Sequence, residues 1–183
     1  MAEVKVIVTG YTSNEAGSEQ TCPTITLIRD KGTNIVCDPG LLTDQKILID
    51  ALQREKLSLK DISYVFLTHS HLDHFRNIGM FPQAKTIEYF GIWDKNTVCE
   101  WREEFSKDIQ IIKTPGHDKT SLTLLVKTKE GIVAVCGDVF WKENEPVQDV
   151  YADNEKELVK SRKKVLMLAD WVIPGHGRMF KTK

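Results

Sequence analysis

The sequence has few of the features that mark an exported, membrane-spanning or nucleic-acid-coating protein. Its 183 residues include only four cysteines, at positions 22, 37, 99 and 136. None forms a Cys-x-x-Cys pair, so neither a cysteine-based zinc site nor a redox dithiol finds support. Cys37 and Cys136 fall inside apolar runs, where a free thiol serves as a small buried hydrophobe. No apolar run approaches the ~20 residues that a membrane-spanning helix needs. The start, Met1-Ala2-Glu3-Val4-Lys5, lacks a basic segment leading into an apolar core and a small-residue cleavage site, so a cytoplasmic protein is expected. Charge of one sign is also missing: 25 Lys and Arg face 26 Asp and Glu, for a formal net charge of −1. Such a balance does not favour charge-driven binding to nucleic acid or to an anionic membrane.

What is present points to one globular domain spanning residues 1–183. The chain is 41% hydrophobic and 28% charged, and it is long enough to bury roughly two thirds of its unfolded surface. It shows no internal repeat, low-complexity stretch or linker. Strand signals come first, over Val4–Val8, Thr24–Ile28 and Asn34–Cys37, the last after a Lys31-Gly32 turn. The segment from Gly10 to Thr21 is polar with two glycines and reads as a long flexible loop. Leu42 to Leu57 carries Ile47, Leu48, Ala51 and Leu52 at helical spacing, with Thr43 as the candidate N-cap.

Tyr64-Val65-Phe66-Leu67 is apolar on both faces, which suits a central strand covered on both sides. Further strands are expected at Ile109–Ile112, and at Leu122–Val126 and Ile132–Val135, the latter two joined as a hairpin through Lys129-Glu130-Gly131. Asn154 to Ala169 reads as a second long helix with Leu158, Val159, Val165, Leu166 and Ala169 on one arc. A short strand, Trp171-Val172-Ile173, then leads into Pro174-Gly175-His176-Gly177.

The five histidines all belong to one pattern. Thr68-His69-Ser70-His71-Leu72-Asp73-His74 places three His and one Asp within six residues, directly after the apolar strand. Alternate residues of an extended segment point the same way, so His69 and His71 can converge on one ion. If a helix starts near Leu72, Asp73 and His74 project from its first turn in another direction, which suits a second ion. His117, Asp138 and His176 each follow a glycine, and glycine permits the tight turns and close approach an ion cluster needs. Imidazole nitrogens with a minority of carboxylates suit zinc or a similar borderline metal; calcium and magnesium prefer oxygen shells.

This order, His-x-His-x-Asp-His followed by His, Asp and His, resembles the metallo-β-lactamase superfamily from Asp38 to His176. The local contexts Asp38-Pro39-Gly40, Pro115-Gly116-His117 and Gly137-Asp138 match as well. After His117 the chain departs from the family, reading Asp118-Lys119-Thr120-Ser121 where Thr-x-Gly is common. The resemblance implies an α/β (α+β) fold, a four-layered αββα sandwich with metals at one edge between two sheets. It implies that His69, His71 and His117 hold a first metal, that Asp73, His74 and His176 hold a second, and that Asp138 bridges them. Asp38 would be a buried residue bracing the metal loop. The Ser161–Leu166 segment and the Pro174-Gly175-His176-Gly177 ending resemble a small single-domain type within the family. The length leaves no room for a helical C-terminal domain or for the large insertion of nucleic-acid-processing members.

The expected activity is that of a dinuclear zinc hydrolase with two Zn²⁺ per chain, iron or manganese being alternatives. Two metals ~3.5–4 Å apart share a bridging hydroxide that forms near neutral pH, and one polarises the substrate oxygen. Asp73 is the candidate catalytic residue, orienting that hydroxide as well as ligating. Two divalent ions, two carboxylates and a hydroxide leave about +1 on the site, which favours anionic groups or developing oxyanions. Esters, thioesters, lactones, β-lactams and phosphodiesters are all admissible. The alternatives are an RNA phosphodiesterase and a mononuclear iron enzyme that oxidises persulfides. A small-molecule or phosphodiester substrate is the expected partner, without a membrane, and a homodimer is compatible with the sequence.

Specificity is expected in the loops 10–21 and 140–152, where Tyr11, Trp141 and Tyr151 are candidates for an aromatic wall. Trp93 and Trp101 read as packing residues. Lys160-Ser161-Arg162-Lys163-Lys164 is the one basic cluster, and a solvated helix face is its default reading against phosphate binding.

Overall fold

A computed structural model describes residues 1–15 and 18–182. The chain runs through β1 (Glu3–Val8), β2 (Tyr11–Glu15), β3 (Ser18–Cys22), β4 (Ile25–Asp30), β5 (Thr33–Cys37), helix α1 (Lys46–Arg54) and β6 (Tyr64–Phe66). The short helix α2 (Leu72–Phe75) follows, then β7 (Lys85–Glu88), β8 (Gly91–Asp94), β9 (Thr97–Cys99), β10 (Ile109–Lys113), β11 (Leu122–Thr128) and β12 (Gly131–Val135). Helix α3 (Glu155–Leu168), β13 (Trp171–Ile173) and β14 (Phe180–Lys181) complete it.

Period-two alternation sorts these strands into layers. In β5, Ile35 and Cys37 face one side while Val36 faces the other, and β6 divides Phe66 from Val65 in the same way. In β11 and β12, Leu122, Leu124, Val126, Val133 and Val135 point inward while Leu125 and Ala134 point outward. The inward sets meet in one core between a seven-stranded sheet, ordered β1-β4-β5-β6-β7-β8-β9, and a five-stranded sheet, ordered β10-β11-β12-β13-β14. Helix α1 covers the outer face of the first sheet with Leu48 and Leu52, and α3 covers the second with Leu158 and Val165. Burying each of these side chains stabilises the fold by about 1.5–3 kcal/mol. The result is the expected αββα sandwich.

Two parallel pairs, β5 with β6 and β12 with β13, carry their C-terminal ends to the same edge of the sandwich. Asp38 follows β5, the His69–His74 segment follows β6, Asp138 follows β12 and His176 follows β13. Strand pairing thus delivers chemistry from four distant stretches of chain to one rim.

Three local expectations need correction. The polar segment Gly10–Thr21 is not a loop: β2 and β3 pair antiparallel from Tyr11↔Cys22 to Glu15↔Ser18. Its polar strands show no apolar alternation, because among the described side chains of the hairpin only Cys22 is buried. Residues 16 and 17 of that segment lie outside the described residues. Helix α1 begins at Lys46, not near Thr43, and Asp44 Oδ1 accepts the Lys46 N–H at 2.7 Å. Ile47 and Val159, placed on the buried helical arcs, are exposed. Asn154 caps α3 by accepting from Lys156 N and Glu157 N, the role its position before the apolar arc suggests.

Among the described residues, no helix is long and apolar enough to cross a membrane. All four cysteines are free, three of them buried. Burial pushes the Cys37 and Cys136 thiols well up, consistent with inert packing groups. Trp101 packs against the central core, and its indole N–H donates to the Tyr89 carbonyl at 3.1 Å. Trp93 is exposed and donates to Glu88 Oε1.

Candidate metal centre

All seven of the His and Asp residues singled out converge at this rim. They form two groups, His69, His71, His117 and Asp138 in one and Asp73, His74 and His176 in the other. Within each group every residue offers a donor atom within 4.8 Å of the others. Asp138 lies between the groups. Its Oδ2 is 3.4 Å from His117 Nε2 and 3.9 Å from His69 Nε2, while its Oδ1 is 3.4 Å from His74 Nε2 and 3.2 Å from His176 Nε2. Asp73 Oδ2 approaches His176 Nε2 at 3.6 Å and His74 Nε2 at 3.8 Å.

The hydrogen bonds behind the rings decide what the front atoms offer. Asp38, only 2% exposed, accepts from Thr68 N at 2.8 Å, from Thr68 Oγ1 at 2.7 Å and from His74 Nδ1 at 2.9 Å. The single Thr68 hydroxyl proton is committed to Asp38, so Thr68 Oγ1 accepts from His69 Nδ1 at 3.0 Å. The Cys22 carbonyl accepts from His176 Nδ1 at 3.0 Å. Asp149 Oδ2 accepts from His117 Nδ1 at 2.7 Å. Four imidazoles therefore carry their proton on Nδ1 and present Nε2 to the rim, the arrangement metal-binding histidines need. Thr21 Oγ1 donates to Asp73 Oδ2 at 2.8 Å and fixes that carboxylate.

The donor set fits a metal. His69 Nε2, His74 Nε2 and Asp138 Oδ1 are buried and have no hydrogen-bond partner, a costly arrangement unless a cation completes it. The field agrees. Burial opposes charge on Asp138, yet His74 and His176 hold its carboxyl well below the usual range. Burial likewise disfavours a cation at His74, but Asp138 and Asp38 override it and raise its pKa well above normal. His176 is raised for the same reason, chiefly by Asp138 against burial. His69 goes the other way, pushed well down by burial and by neighbouring His74. Asp138 and Asp38 thus make the side of the rim around His74 and His176 favour positive charge, while burial keeps His69 neutral.

Glycines let the chain close around Asp138. Gly137 has φ +51°, and a side chain there would press on Thr68 Cβ. A Cβ on Gly175 would overlap Asp138 Oδ1 itself. Gly175→Ala is therefore expected to push the carboxylate aside, costing about 1–3 kcal/mol of stability, or a fall in Tm of about 2–12 °C, together with metal content. Calorimetry and elemental analysis check it; a variant with unchanged melting and metal content would mean the Asp138 position does not matter.

A cavity of about 520 Å³ opens onto the rim, bounded by Glu19, Leu41, Leu72, Trp141 and Tyr151 beside the donor groups. Trp141 and Tyr151 stack with centroids 5.7 Å apart and rings inclined by 20°. Tyr151 Oη donates to Glu19 Oε2 at 2.9 Å, tying the wall to the β2–β3 hairpin. Tyr11 does not line this cavity and borders an adjoining depression with Leu42 and Ile47. Lys160, Lys163 and Lys164 point to solvent from α3, away from the cavity. Lys160 pairs with Glu157, and Lys164 donates to the Lys113 carbonyl. Ser161 and Arg162 turn inward, to the Pro115 and Val139 carbonyls.

Sequence reasoning missed Asp149, Thr68 and Thr21. Thr68 and Thr21 have no local signal. Asp149 lies in the segment expected to carry specificity, but nothing in sequence ties it to His117, 32 residues away.

Residues 23–113 match the family described as the metallo-beta-lactamase superfamily, a span that includes His69–His74. Metallo-beta-lactamase domain-containing protein 1 of Xenopus laevis is 30% identical over 191 residues, covering 98% of this chain and 81% of that protein. The chain belongs to the metallo-beta-lactamase superfamily. The N-acyl homoserine lactonase of Bacillus cereus is 25% identical over 152 residues, covering 69% of this chain and 60% of the lactonase. Coverage of relatives varies, and the chain spans about half (48%) of a Caenorhabditis elegans protein that is 30% identical. A solved Thermotoga maritima structure superposes with a TM-score of 0.78 at 22% identity, over 98% of this chain and 99% of that one, and shares the superfamily fold.

Proposed function

We propose that the protein is a dinuclear zinc hydrolase of uncharged acyl compounds, namely esters, thioesters or lactones. The observation that carries this reading is the pair of donor groups joined by Asp138, with buried, partnerless Nε2 and Oδ1 atoms turned inward. His69, His71 and His117 would hold one ion, Asp73, His74 and His176 the other, and Asp138 would bridge them. Imidazole with few carboxylates favours zinc. Bound zinc supplies Lewis-acid polarisation of a carbonyl and brings deprotonation of water near neutral pH.

The chain's own residues do the rest. Asp73, held by Thr21, faces the cavity and accepts a hydrogen bond from the attacking water, turning its lone pair toward the substrate. Trp141 and Tyr151 offer an apolar wall for the acyl or leaving group and exclude water from one side. Asp138 holds both halves of the site at fixed separation.

The lining favours an acyl substrate over RNA. No Lys or Arg borders the cavity among the described residues, and Glu19 places a carboxylate at its mouth. A polyanionic strand would meet repulsion from that carboxylate. The name of the Bacillus cereus relative, a lactonase, accords with the acyl reading. A complete second group, Asp73, His74 and His176, supports hydrolysis over single-iron persulfide oxidation.

The test combines elemental analysis of protein purified without added metal with a panel of ester, thioester, lactone and phosphodiester substrates. About two zinc ions per chain and turnover confined to the acyl members are expected. One iron without zinc would move persulfide oxidation to first place, and turnover of the phosphodiester alone would establish the nuclease.

A further inference from the structure

Asp149 stands where the donor groups and the cavity wall meet. It is buried, and it comes from the segment between Phe140 and α3 that also supplies Trp141 and Tyr151. One oxygen, Oδ2, accepts from His117 Nδ1 at 2.7 Å. The other, Oδ1, accepts the backbone N–H of Tyr151 at 3.0 Å. The same stretch is laced to the His117 loop by two backbone bonds, Asp153 N to the His117 carbonyl at 3.0 Å and Asn154 N to the Gly116 carbonyl at 2.9 Å. A carboxylate accepts and cannot donate, so this one contact sets the His117 tautomer while the same group pins the residue that stacks on Trp141.

We infer that Asp149 is a positioning residue shared by the first donor group and the aromatic wall. Filling the group His69, His71 and His117 fixes the His117 ring, the ring fixes the Asp149 carboxylate, and the carboxylate fixes Tyr151. Metal affinity and placement of the wall then rise and fall together, as linkage requires of two sites biasing one element. This inference rests on the metal reading proposed above.

The experiment uses the metal-free full chain, zinc titration against a competing chelator, and amide exchange by NMR. His117→Ala identifies which of two measured affinities belongs to the first group. Asp149→Ala is expected to weaken that affinity by ~10–100-fold while leaving the other in the wild-type range. Zinc should slow exchange of the Tyr151 amide proton by at least about tenfold in the wild type and leave it unchanged in Asp149→Ala, since its acceptor is gone. Asp149→Asn keeps one acceptor oxygen of the same shape. Its first-group affinity should lie between those of the wild type and the alanine variant, a graded rescue that a general loss of stability would not produce. Should Asp149→Ala fail to fold, the Asn variant decides alone, and wild-type affinity in it overturns the proposal. Equal weakening of both affinities, or a Tyr151 amide indifferent to zinc in the wild type, also overturns it. Zinc bound equally by wild type and Asp149→Ala sinks the coupling and leaves the metal reading intact. A wild type that binds no zinc sinks both.

Discussion

Asp138→Asn is expected to reduce bound zinc from about two ions to about one per chain and to lower hydrolysis by at least about 100-fold. The carboxylate faces His69 and His117 with Oδ2 and His74 with Oδ1, and His176 Nε2 lies within 3.3 Å of both oxygens. Set between the two groups, it offsets repulsion between two cations and fixes their separation, which Asp73, in one group alone, does not. An amide has a single acceptor oxygen and no charge, so it serves one group and turns N–H donors on the other. His69, His71 and His117 remain able to hold an ion, which is why activity should fall further than metal content. Two cations lower the pKa of water more than one does, so residual activity should shift to higher pH. Elemental analysis with a pH–rate profile measures both effects. Near-normal activity with an unshifted profile would place catalysis at the first group alone.

Asp38→Ala carries the second large effect, and it acts on stability as well as on metal. The carboxylate accepts three hydrogen bonds inside the protein, two from Thr68 and one from His74. Removing it strands three buried donors at about 1–3 kcal/mol each. With partial relaxation the loss should be on the order of 3–5 kcal/mol, or about 6–20 °C in Tm. Asp38 also has φ +49°, a left-handed conformation that Asp tolerates better than Ala. Zinc affinity should drop by ~10–100-fold, because the backing of His69 through Thr68 and that of His74 both disappear, one ring in each group. Melting the metal-free protein isolates the stability component, and chelator competition on the folded variant isolates the metal component. A variant that melts and binds zinc like the wild type would show that the site is braced elsewhere.

Much of this candidate centre is legible in the sequence. The seven donor residues are marked by type, order and glycine neighbours, because metal ligation demands imidazole and carboxylate side chains in a small set of spacings. The strands β4, β5, β6, β11 and β12 were legible for a related reason: a residue buried between two layers must be apolar, and alternation shows which face it serves. The β2–β3 hairpin was not, since its polar strands pair their backbones without an apolar alternation to mark them. The stretch from β7 to β9 was unread as well. Its strands are short, and β9 is exposed throughout.

The wall shows the same division. Trp141 and Tyr151 were candidates together with Tyr11, and local sequence treats the three alike. Only the folded chain separates them, by stacking the first two beside His117 and His176 and setting Tyr11 at an adjoining depression.

By itself, the sequence marked the candidate donors by side-chain type and spacing and the buried strands by periodicity, all local features, and the order of its motifs carried the resemblance that implied the layered fold and the family. Tertiary structure alone decided which atoms face the rim. The Nδ1 protons of His69, His74, His117 and His176 are set by Thr68, Asp38, Asp149 and the Cys22 carbonyl. Each of these except Thr68 lies 32 or more residues from the ring it orients. A hydrogen bond reads direction and distance in space to a few tenths of an ångström, and no spacing along a chain encodes that until strand pairing has brought the two ends of the bond together.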